Sequence, residues 1–272
     1  MCGKLYVCGT PIGNLSDMSP RAVDTLKKVD FIAAEDTRVS MKLLNKFDIK
    51  TPMVSFHQHN ERERGPEIIR RLQSGETAAL VTDAGMPAIS DPGEHLIGLC
   101  HAAGVAVESV PGPTAFATAV ALSGLYTGRF AFEGFLSTNK TSRREHLEEI
   151  KNYRETLVFY EAPHKLASTL KDMLSVFGDR RVSVVKELTK LHESAYITTL
   201  SLAAQYYAEN KPKGEYVLVI EGAKKEEKTL DLDQAVKLAK SLKNGGMSAS
   251  DAAKEAAAQS GCKKSEIYRR LV

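Results

Sequence analysis

The hydrophobic pattern of residues 1–125 switches repeatedly between two periods, and this alternation limits the possible folds more than any other feature. Short apolar runs are separated by segments in which apolar residues recur at helical spacing. Such a rhythm is typical of βα units, whose strands lie parallel in one sheet. A helix over 20–29 is predicted to begin with Ser19 as N-cap and Pro20 at its first position. The predicted strands are 5–9, 31–35, 53–57, 78–83 and 105–110.

The pattern from about residue 129 onward is richer in strands. Two strand signals within 180–200 follow each other with only a short turn region between them, which predicts a mixed second sheet. The hinge between the two α/β parts is expected near residues 123–128. Helices are expected over 143–151, 164–177 and 202–210. The strand signals are 129–137, 156–162, 180–188, 194–200 and 215–223.

The end of the chain reads as a separate helical module. A charged linker follows Gly222, and residues 232–272 are rich in Ala and Lys. The pattern predicts a helix, a GlyGly turn, a second helix capped by Ser248, a stop at Gly261 and a short third helix, an order that resembles a helix-turn-helix. The predicted domains are therefore 1–125 (α/β), 126–223 (α/β) and 230–272 (helical).

Composition excludes several classes of protein. With 43% hydrophobic and 26% charged residues and only 19 Gly and 10 Pro, the chain is neither disordered nor collagen-like. No stretch approaches the length of a membrane span, and the N-terminus has no signal-peptide core, so we expect a cytoplasmic protein without membrane association. The net charge of +3 permits a polyanionic partner without requiring one. The cysteines form no CxxC pair, which argues against a zinc ribbon: Cys2, Cys8, Cys100 and Cys262.

Three Gly- and Pro-rich loops follow predicted strands one, four and five. They are GTPIGNL at 9–15, DAGMPAISDPG at 83–93 and PGPTA at 111–115. Ligands of open parallel sheets bind beyond the carboxyl ends of the strands, and glycine lets the backbone approach a ligand closely. The first loop lacks both GxGxxG and GK[ST], so ATP hydrolysis is not expected. The loops predict a cleft in which backbone groups hold a nucleoside-like cofactor.

Motifs along the whole chain resemble those of the bacterial 16S ribosomal RNA (cytidine 2′-O)-methyltransferase family, which belongs to the tetrapyrrole methylase superfamily. The motifs are GTPIGNL, EDTR, SFHQHN, DAGMPAISDPG, PGPTA, FEGFL, FYEAPHK and KELTK. The resemblance implies two α/β domains with a cleft between them, S-adenosylmethionine as methyl donor, and a homodimer. It also implies that the acceptor is a ribose 2′-hydroxyl in the decoding region of the small ribosomal subunit.

The resemblance also implies a set of cofactor contacts, made mainly by backbone groups. Several positions depart from the family pattern: Met86 replaces a usual Thr, Ser137 a Pro, and Lys165 and Lys186 replace Arg. Gln58 replaces a usual Glu, which excludes a catalytic carboxylate there. The implied cofactor-binding residues are Pro11, Asp83, Ala84, Gly85, Met86, Ile89, Thr114, Ala115 and Tyr160.

Methyl transfer to a hydroxyl requires alignment of the acceptor oxygen and a nearby group that takes its proton. For Glu35 and Asp36 the alternative is a helix N-cap paired with Arg38. Strand alternation sends Lys186 and Glu187 to opposite faces, so one of them is expected to be structural. No third ligand accompanies the HxH pair, so no metal site is predicted. The catalytic candidates are Glu35, Asp36, His57, Lys186 and Glu187.

Contacts to RNA phosphates are expected from Arg and Lys. The alternative for each is a solvated helix face. The candidates are Arg38, Lys42, Arg62, Arg64, Lys140, Arg143, Arg144, Lys190, Lys263, Lys264, Arg269 and Arg270. Two rival functions remain open: a superfamily methylase acting on a tetrapyrrole or a protein side chain, and a non-enzymatic nucleic-acid-binding regulator that uses the tail.

Overall fold

The first α/β part forms a five-stranded, fully parallel sheet, as predicted. The structure is a computed structural model that describes residues 3–224 and 230–272, so Cys2 lies outside the described residues. The strand order is β3-β2-β4-β1-β5. Each strand lies within one or two residues of its predicted bounds. The strands are β1 (Lys4–Cys8), β2 (Phe31–Ala34), β3 (Met53–Ser55), β4 (Ala78–Val81) and β5 (Ala106–Val110).

Helices cover both faces of this sheet because its strands are apolar on both sides. Phe31 and Ala33 face one buried cluster, whereas Ile32 and Ala34 face another. The predicted cap of the first helix is confirmed, since Ser19 accepts a hydrogen bond from the Ala22 amide at 3.0 Å. The helices are α1 (Pro20–Lys28), α2 (Thr37–Lys46), α3 (Glu61–Gln73), α4 (Glu94–Ala102) and α5 (Ala115–Leu122).

The second sheet is mixed, as predicted, with the order β6-β7-β10-β8-β9. Only β6 and β7 pair in parallel, and the other three neighbouring pairs are antiparallel. Its strands are β6 (Phe130–Phe135), β7 (Thr156–Glu161), β8 (Arg181–Lys186), β9 (Ser194–Thr199) and β10 (Tyr216–Ile220).

All three helices on this sheet begin earlier than predicted, α7 by one residue and α6 and α8 by three and two. The side chain of Asn139 accepts amide hydrogen bonds from Thr141 and Ser142, and that of Thr199 accepts one from Leu202. These caps add the residues that the apolar pattern left out, because capping is polar and carries no hydrophobic period. The helices are α6 (Lys140–Ile150), α7 (Pro163–Phe177) and α8 (Leu200–Glu209).

Helix α5 connects the two sheets. Its sequence AFATAVAL carries no charged residue, and its buried residues are Ala119 and Val120. Ala119 and Val120 pack with Val158 of β7, Val185 of β8 and Val217 of β10 in one buried cluster. The described part of the first compact unit, which ends at Ala223, therefore contains both sheets. The predicted division at 125/126 falls between α5 and β6 and stays a prediction.

The second compact unit begins at Lys224 and contains the three predicted tail helices, α9 (Leu232–Asn244), α10 (Ala249–Ser260) and α11 (Lys264–Leu271). Ser248 caps α10, and Gly261 ends it in the left-handed conformation with φ of 75°. Both predictions are confirmed. The core consists mainly of alanines, with Ile267 and Leu271 from α11.

One predicted RNA contact is wrong. Arg143 is only 6% exposed, and its guanidinium donates two hydrogen bonds, at 2.9 and 2.7 Å, to one carboxylate oxygen of Asp172 on α7. It also donates to the carbonyls of Ser137 and Thr138, which fixes the turn before α6. A buried, fully paired guanidinium cannot reach a phosphate, so Arg143 is structural.

We expect Arg143→Ala to lower the free energy of unfolding by about 3–5 kcal/mol, because it leaves the Asp172 carboxylate buried without its partner. Urea denaturation measures the change. Arg144→Ala is the matched control, since Arg144 is exposed and lies 3.6 Å from the same carboxylate. The control should lose less than about 1 kcal/mol. Equal losses for the two variants would contradict a structural role specific to Arg143.

Candidate active site

The three Gly- and Pro-rich loops meet because β4, β1 and β5 are neighbours in the sheet. Thr10 and Gly85 exchange two backbone hydrogen bonds, of 2.9 and 3.1 Å, which tie the first loop to the second. The first and third loops touch at glycines: a Cβ on Gly9 would lie 2.7 Å from the Cα of Gly112. Gly85 has a φ of 88°, a conformation that favours glycine. The loops thus form one continuous surface of backbone.

This surface and one end of the strands of the second sheet line a first cavity of about 460 Å³. Eight of the nine predicted cofactor-binding residues line it: Asp83, Ala84, Gly85, Met86, Ile89, Thr114, Ala115 and Tyr160. The ninth, Pro11, is buried and does not line the cavity, whereas its neighbour Ile12 does. From the second sheet the cavity also receives Phe135, Glu161, Val185, Glu187, Leu188 and Val217.

Tyr160 of β7 links the second sheet to the third loop. Its hydroxyl oxygen accepts a hydrogen bond of 3.1 Å from the amide of Phe116, in the first turn of α5. Its ring packs edge-on against Phe132, with 4.9 Å between ring centres. Burial raises the pKa of the Tyr160 phenol, so the hydroxyl keeps its proton and can donate a hydrogen bond to a ligand.

Three carboxylates stand along the loop side of the cavity. Glu35 accepts a hydrogen bond of 3.3 Å from the Asp83 amide, and Asp83 accepts one of 3.2 Å from the Asp36 amide. Burial raises the pKa of both Glu35 and Asp83. Burial raises the pKa of Asp91 to about 6, with added repulsion from Glu35 and Asp83. The sequence interpretation missed Asp91, although its ISDPG motif belongs to the second loop.

Asp36 and His57 do not line the cavity. Asp36 caps α2 through the Arg38 amide at 2.8 Å and binds the Arg38 guanidinium, which is the structural alternative given above. The hydrogen bonds from Arg38 lower the pKa of Asp36, so it is a weak base. The amide of His57 donates to Asn60 at 2.8 Å, and its Nδ1 is buried without a hydrogen-bond partner in the described residues.

Lys186 is the last residue of β8 and Glu187 follows it, and the two residues line different cavities. Lys186 lines a different cavity, beside Tyr196 and Tyr206, and is not brought to the candidate site. Glu187 follows the end of β8 with a φ of 52° and does line the first cavity. Its carboxylate accepts hydrogen bonds from Lys190 at 3.0 Å and from the Glu215 amide at 2.9 Å. The Lys190 contact lowers the pKa of Glu187, which makes it a poor proton acceptor.

A second cavity, of about 620 Å³, adjoins the first. The two cavities share Glu35, Ser90 and Asp91 as a common wall. Sequence reasoning could not find the second cavity, because its residues come from separate elements and loops. Its remaining lining is Gln58, Glu61, Pro92, Glu94, His95, Gly98 and Leu99.

The described residues contain no group of three His, Cys, Asp or Glu side chains that could hold a metal ion. Within the same ranges, 3–224 and 230–272, no helix is long and apolar enough to cross a membrane.

Most of the other basic residues predicted to contact RNA are exposed, but several already have partners. Arg38 binds Asp36, Arg64 binds Glu67 at 2.7 Å, and Lys190 binds Glu187 and Glu215. In the tail, Arg270 binds Asp233 at 2.6 Å. The exposed residues for which the described structure shows no ion pair are Lys42, Arg62, Lys140, Lys263, Lys264 and Arg269.

Comparison with known proteins identifies the family. The model of the tetrapyrrole (corrin/porphyrin) methylases matches residues 4–204. The chain belongs to the tetrapyrrole methylase family. It is 45% identical to "Ribosomal RNA small subunit methyltransferase I" of Synechocystis sp. over 98% of this chain and 96% of that protein. It is 42% identical to the protein of the same name from Bacillus subtilis, over 98% and 93% of the two chains. The family resemblance stated from the motifs is therefore confirmed.

Solved tetrapyrrole methylase structures share the fold. Cobalt precorrin-4 methyltransferase has a TM-score of 0.58 at 21% identity, covering 79% of this chain and 94% of its own. Uroporphyrin-III-C-methyltransferase of Thermus thermophilus has a TM-score of 0.56 at 17% identity, covering 80% and 94% of the two chains. This confirms the α/β prediction with a parallel first sheet and a mixed second sheet.

We expect Asp91→Asn to raise the melting temperature by about 2–4 °C at pH 7.5, because it removes a partly buried charge that two other carboxylates repel. Burial and repulsion destabilise the charged carboxylate in the folded wild type, so the wild type is least stable relative to the variant above the folded pKa of about 6. This deficit in stability decreases as the pH falls toward the unfolded pKa of 3.8. The difference should therefore shrink at pH 5. Thermal scans at the two pH values measure it.

The control is Asp48→Asn. Asp48 is exposed, and its contact with Lys50 at 2.9 Å lowers the pKa of its carboxyl. This variant should bring no gain in melting temperature at either pH. A pH-independent gain for Asp91→Asn, or an equal gain for the control, would show that the charge of Asp91 is not the cause.

Proposed function

We propose that this protein transfers a methyl group from S-adenosylmethionine to the ribose 2′-hydroxyl of a specific cytidine of 16S ribosomal RNA, in the decoding region of the small subunit. The observation that carries the proposal is the similarity over nearly the whole chain to proteins named as small-subunit ribosomal RNA methyltransferases. The motifs that imply the cytidine 2′-hydroxyl lie on the loops and strand ends around the two cavities.

The first cavity fits S-adenosylmethionine. A methylase needs a methyl donor, and the cavity volume of about 460 Å³ lies within the usual range for small-molecule sites. The carboxylates of Glu35 and Asp83 suit the ribose hydroxyls and the cationic sulfonium. Apolar side chains such as Ile12, Ile89 and Leu188 suit the uncharged parts of the cofactor. When bound, S-adenosylmethionine supplies an electrophilic methyl group. The residues proposed to hold it are Asp83, Ala84, Gly85, Met86, Ile89, Thr114, Ala115 and Tyr160.

The chain contributes alignment and exclusion of water. The linked backbones of the three loops hold one wall still, since moving one loop breaks contacts with the next. Tyr160 and Phe135, whose ring centres are 5.4 Å apart, form an aromatic wall on the other side. Methyl transfer gains most from such a site because its rate depends on the alignment of the reacting atoms.

The charge distribution supports a polyanionic partner. Residues 230–272 contain 8 Lys and Arg against 5 Asp and Glu, so this segment accounts for the whole formal net charge of +3. Lys263, Lys264 and Arg269 at α11 are exposed. We propose that the tail helps to bind 16S ribosomal RNA or the small subunit through phosphate contacts.

We further propose that the protein is a cytoplasmic homodimer. Apolar side chains are exposed along the edge strand β9 and beside it, which supports burial against another surface. They are Leu191, Tyr196, Ile197, Leu202 and Tyr206.

The decisive test is methyl transfer from labelled S-adenosylmethionine to small subunits that lack their own modification, followed by mapping of the labelled nucleotide. We expect one 2′-O-methylcytidine in the decoding region. Ala84→Trp should abolish transfer and weaken cofactor binding at least tenfold, because Ala84 is exposed to the first cavity and the larger ring fills it.

Ala102→Trp serves as the control for Ala84→Trp, since Ala102 is exposed at the end of α4 and lines neither cavity. It should keep wild-type binding, measured by calorimetry. Transfer to a tetrapyrrole or a protein side chain would assign the chain to another acceptor class. RNA binding that ignores the cofactor, with no transfer to any acceptor, would support a non-enzymatic regulator.

Replacing Lys263, Lys264 and Arg269 together by Ala should weaken binding to small-subunit RNA and make it less dependent on salt. Each lost phosphate contact reduces the slope of log affinity against log salt by about 0.7–0.9 units. Filter binding over a salt series measures the slope. Replacing Lys27, Lys28 and Lys46 by Ala removes the same charge from the first unit and should leave the slope nearly unchanged. Identical slopes for the two triple variants would reject a specific role for the tail.

A further inference from the structure

The wall between the two cavities is made by Glu35, Ser90 and Asp91, and these residues differ in how they are held. Glu35 accepts the Asp83 amide, as described above. The Asp91 carboxylate has neither a hydrogen bond nor an ion pair within the described part of the chain. A half-buried carboxylate without a partner lowers the stability of the folded protein, so the presence of Asp91 at this wall needs an explanation.

The backbone around Asp91 is strained. Ala88 and Ser90 have φ of 66° and 65°, in the left-handed region that residues other than glycine rarely adopt, and Gly93 has a φ of 140°. The loop is closed by a hydrogen bond of 3.3 Å from the Ala88 amide to the Pro92 carbonyl. A strained segment that holds an unpartnered carboxylate beside a cavity is the arrangement found at functional sites.

We propose that the acceptor nucleoside enters the second cavity and that Asp91 is the catalytic base that takes the proton of its ribose hydroxyl. This inference rests on the proposed function, because it needs the methyl donor in the first cavity. Asp91 borders both cavities, so a hydroxyl beside it faces the donor side. The second cavity suits the nucleoside rather than its phosphates, since carboxylates such as Glu61 and Glu94 accept hydrogen bonds from hydroxyls and from the cytosine amino group.

The step balances without another reactant. The hydroxyl oxygen forms a bond to the methyl carbon, and the bond from that carbon to the sulfonium sulfur breaks with its electron pair going to sulfur. The hydroxyl proton passes to Asp91 and later to water. The products are the 2′-O-methyl ribose and the neutral thioether S-adenosylhomocysteine.

The five predicted catalytic candidates are less suited to this role, and the one that borders both cavities, Glu35, already accepts the Asp83 amide. Arg38 occupies the carboxylate of Asp36, and Lys190 occupies that of Glu187, which lowers the pKa of each. Lys186 lines a different cavity, and His57 lines neither of the two. The pKa of Asp91, raised to about 6, makes it a stronger base than an ordinary Asp while leaving it ionised at neutral pH.

The pH dependence of the step reflects all the groups that face Asp91. Glu35 and Asp83 repel its negative charge and raise its pKa. Tyr160 lies on the side of the first cavity and interacts with the Asp91 charge. The second cavity adds Glu61, Glu94 and His95. Transfer should therefore rise with pH through about 6, as Asp91 loses its proton, and then level off.

The test compares single-turnover methyl transfer by wild type, Asp91→Asn, Asp91→Glu and the surface control Asp48→Asn. We expect Asp91→Asn to lower the rate at least about 100-fold and to remove the dependence on pH near 6. Asp91→Glu should restore part of the rate together with the pH dependence. Binding of S-adenosylmethionine to Asp91→Asn, measured by calorimetry, should stay within about threefold of wild type, because the loss concerns the proton and not the donor.

A second readout does not depend on activity. In protein with carboxyl-labelled aspartate, the carbon signal that Asp91→Asn removes should titrate near pH 6 in wild type. Titration near pH 4, a variant rate within threefold of wild type, or a loss of cofactor affinity as large as the loss of rate would each overturn the assignment. A wild-type protein that methylates no RNA would instead overturn the proposed function, and this inference with it.

Discussion

The reciprocal backbone hydrogen bonds between Thr10 and Gly85 are the interaction on which the rest of the site depends. They join loops that follow different strands, and the contact of Gly9 with Gly112 adds the third loop. A Cβ on Gly9 would lie 2.7 Å from the Cα of Gly112, and a Cβ on Gly112 would lie 2.8 Å from the carbonyl carbon of Gly9, so a side chain at either position would push the two loops apart. Because the loops brace one another, a surface made of backbone can be rigid without burying long side chains.

The same constraint decides where the second sheet lies. The third loop leads directly into α5, whose residues Ala119 and Val120 are buried against the second sheet. Fixing the loop therefore fixes the start of α5, and the hydrogen bond from the Phe116 amide to Tyr160 links that start to β7. Local loop geometry thus builds one wall of the first cavity. The second sheet provides the opposite wall, and the packing of a single apolar helix positions that sheet.

The sequence predicts those features that follow from the period of the apolar residues and from the positions of glycine and proline. The parallel sheet and the mixed sheet belong to this group, whereas the eight predicted residues that line the first cavity were implied by the family resemblance of the motifs. The caps at Asn139 and Thr199 were not predicted, since these residues act through polar contacts that carry no hydrophobic period. The partner of a buried charged residue could not be predicted either, because nothing in the sequence near Arg143 shows that it binds Asp172 on another helix. The second cavity could not be predicted for the same reason, because Gln58, Asp91 and His95 come together only in the folded structure.

In the proposed function, the candidate site and the tail carry opposite charges toward RNA. Around the two cavities stand the carboxylates of Glu35, Asp83 and Asp91, which repel phosphate. Residues 1–229 contain 29 basic and 29 acidic residues, so this part of the chain has no formal net charge. The tail carries the whole excess of positive charge. In the proposed function, general attraction to RNA therefore comes from the tail, whereas the acidic cavities exclude the backbone and admit only a nucleoside turned out of its stack. The tail that attracts RNA and the cavities that select the nucleoside therefore carry opposite charge. Binding of RNA phosphates to the tail does not by itself bring a phosphate to the position where the reacting hydroxyl must lie.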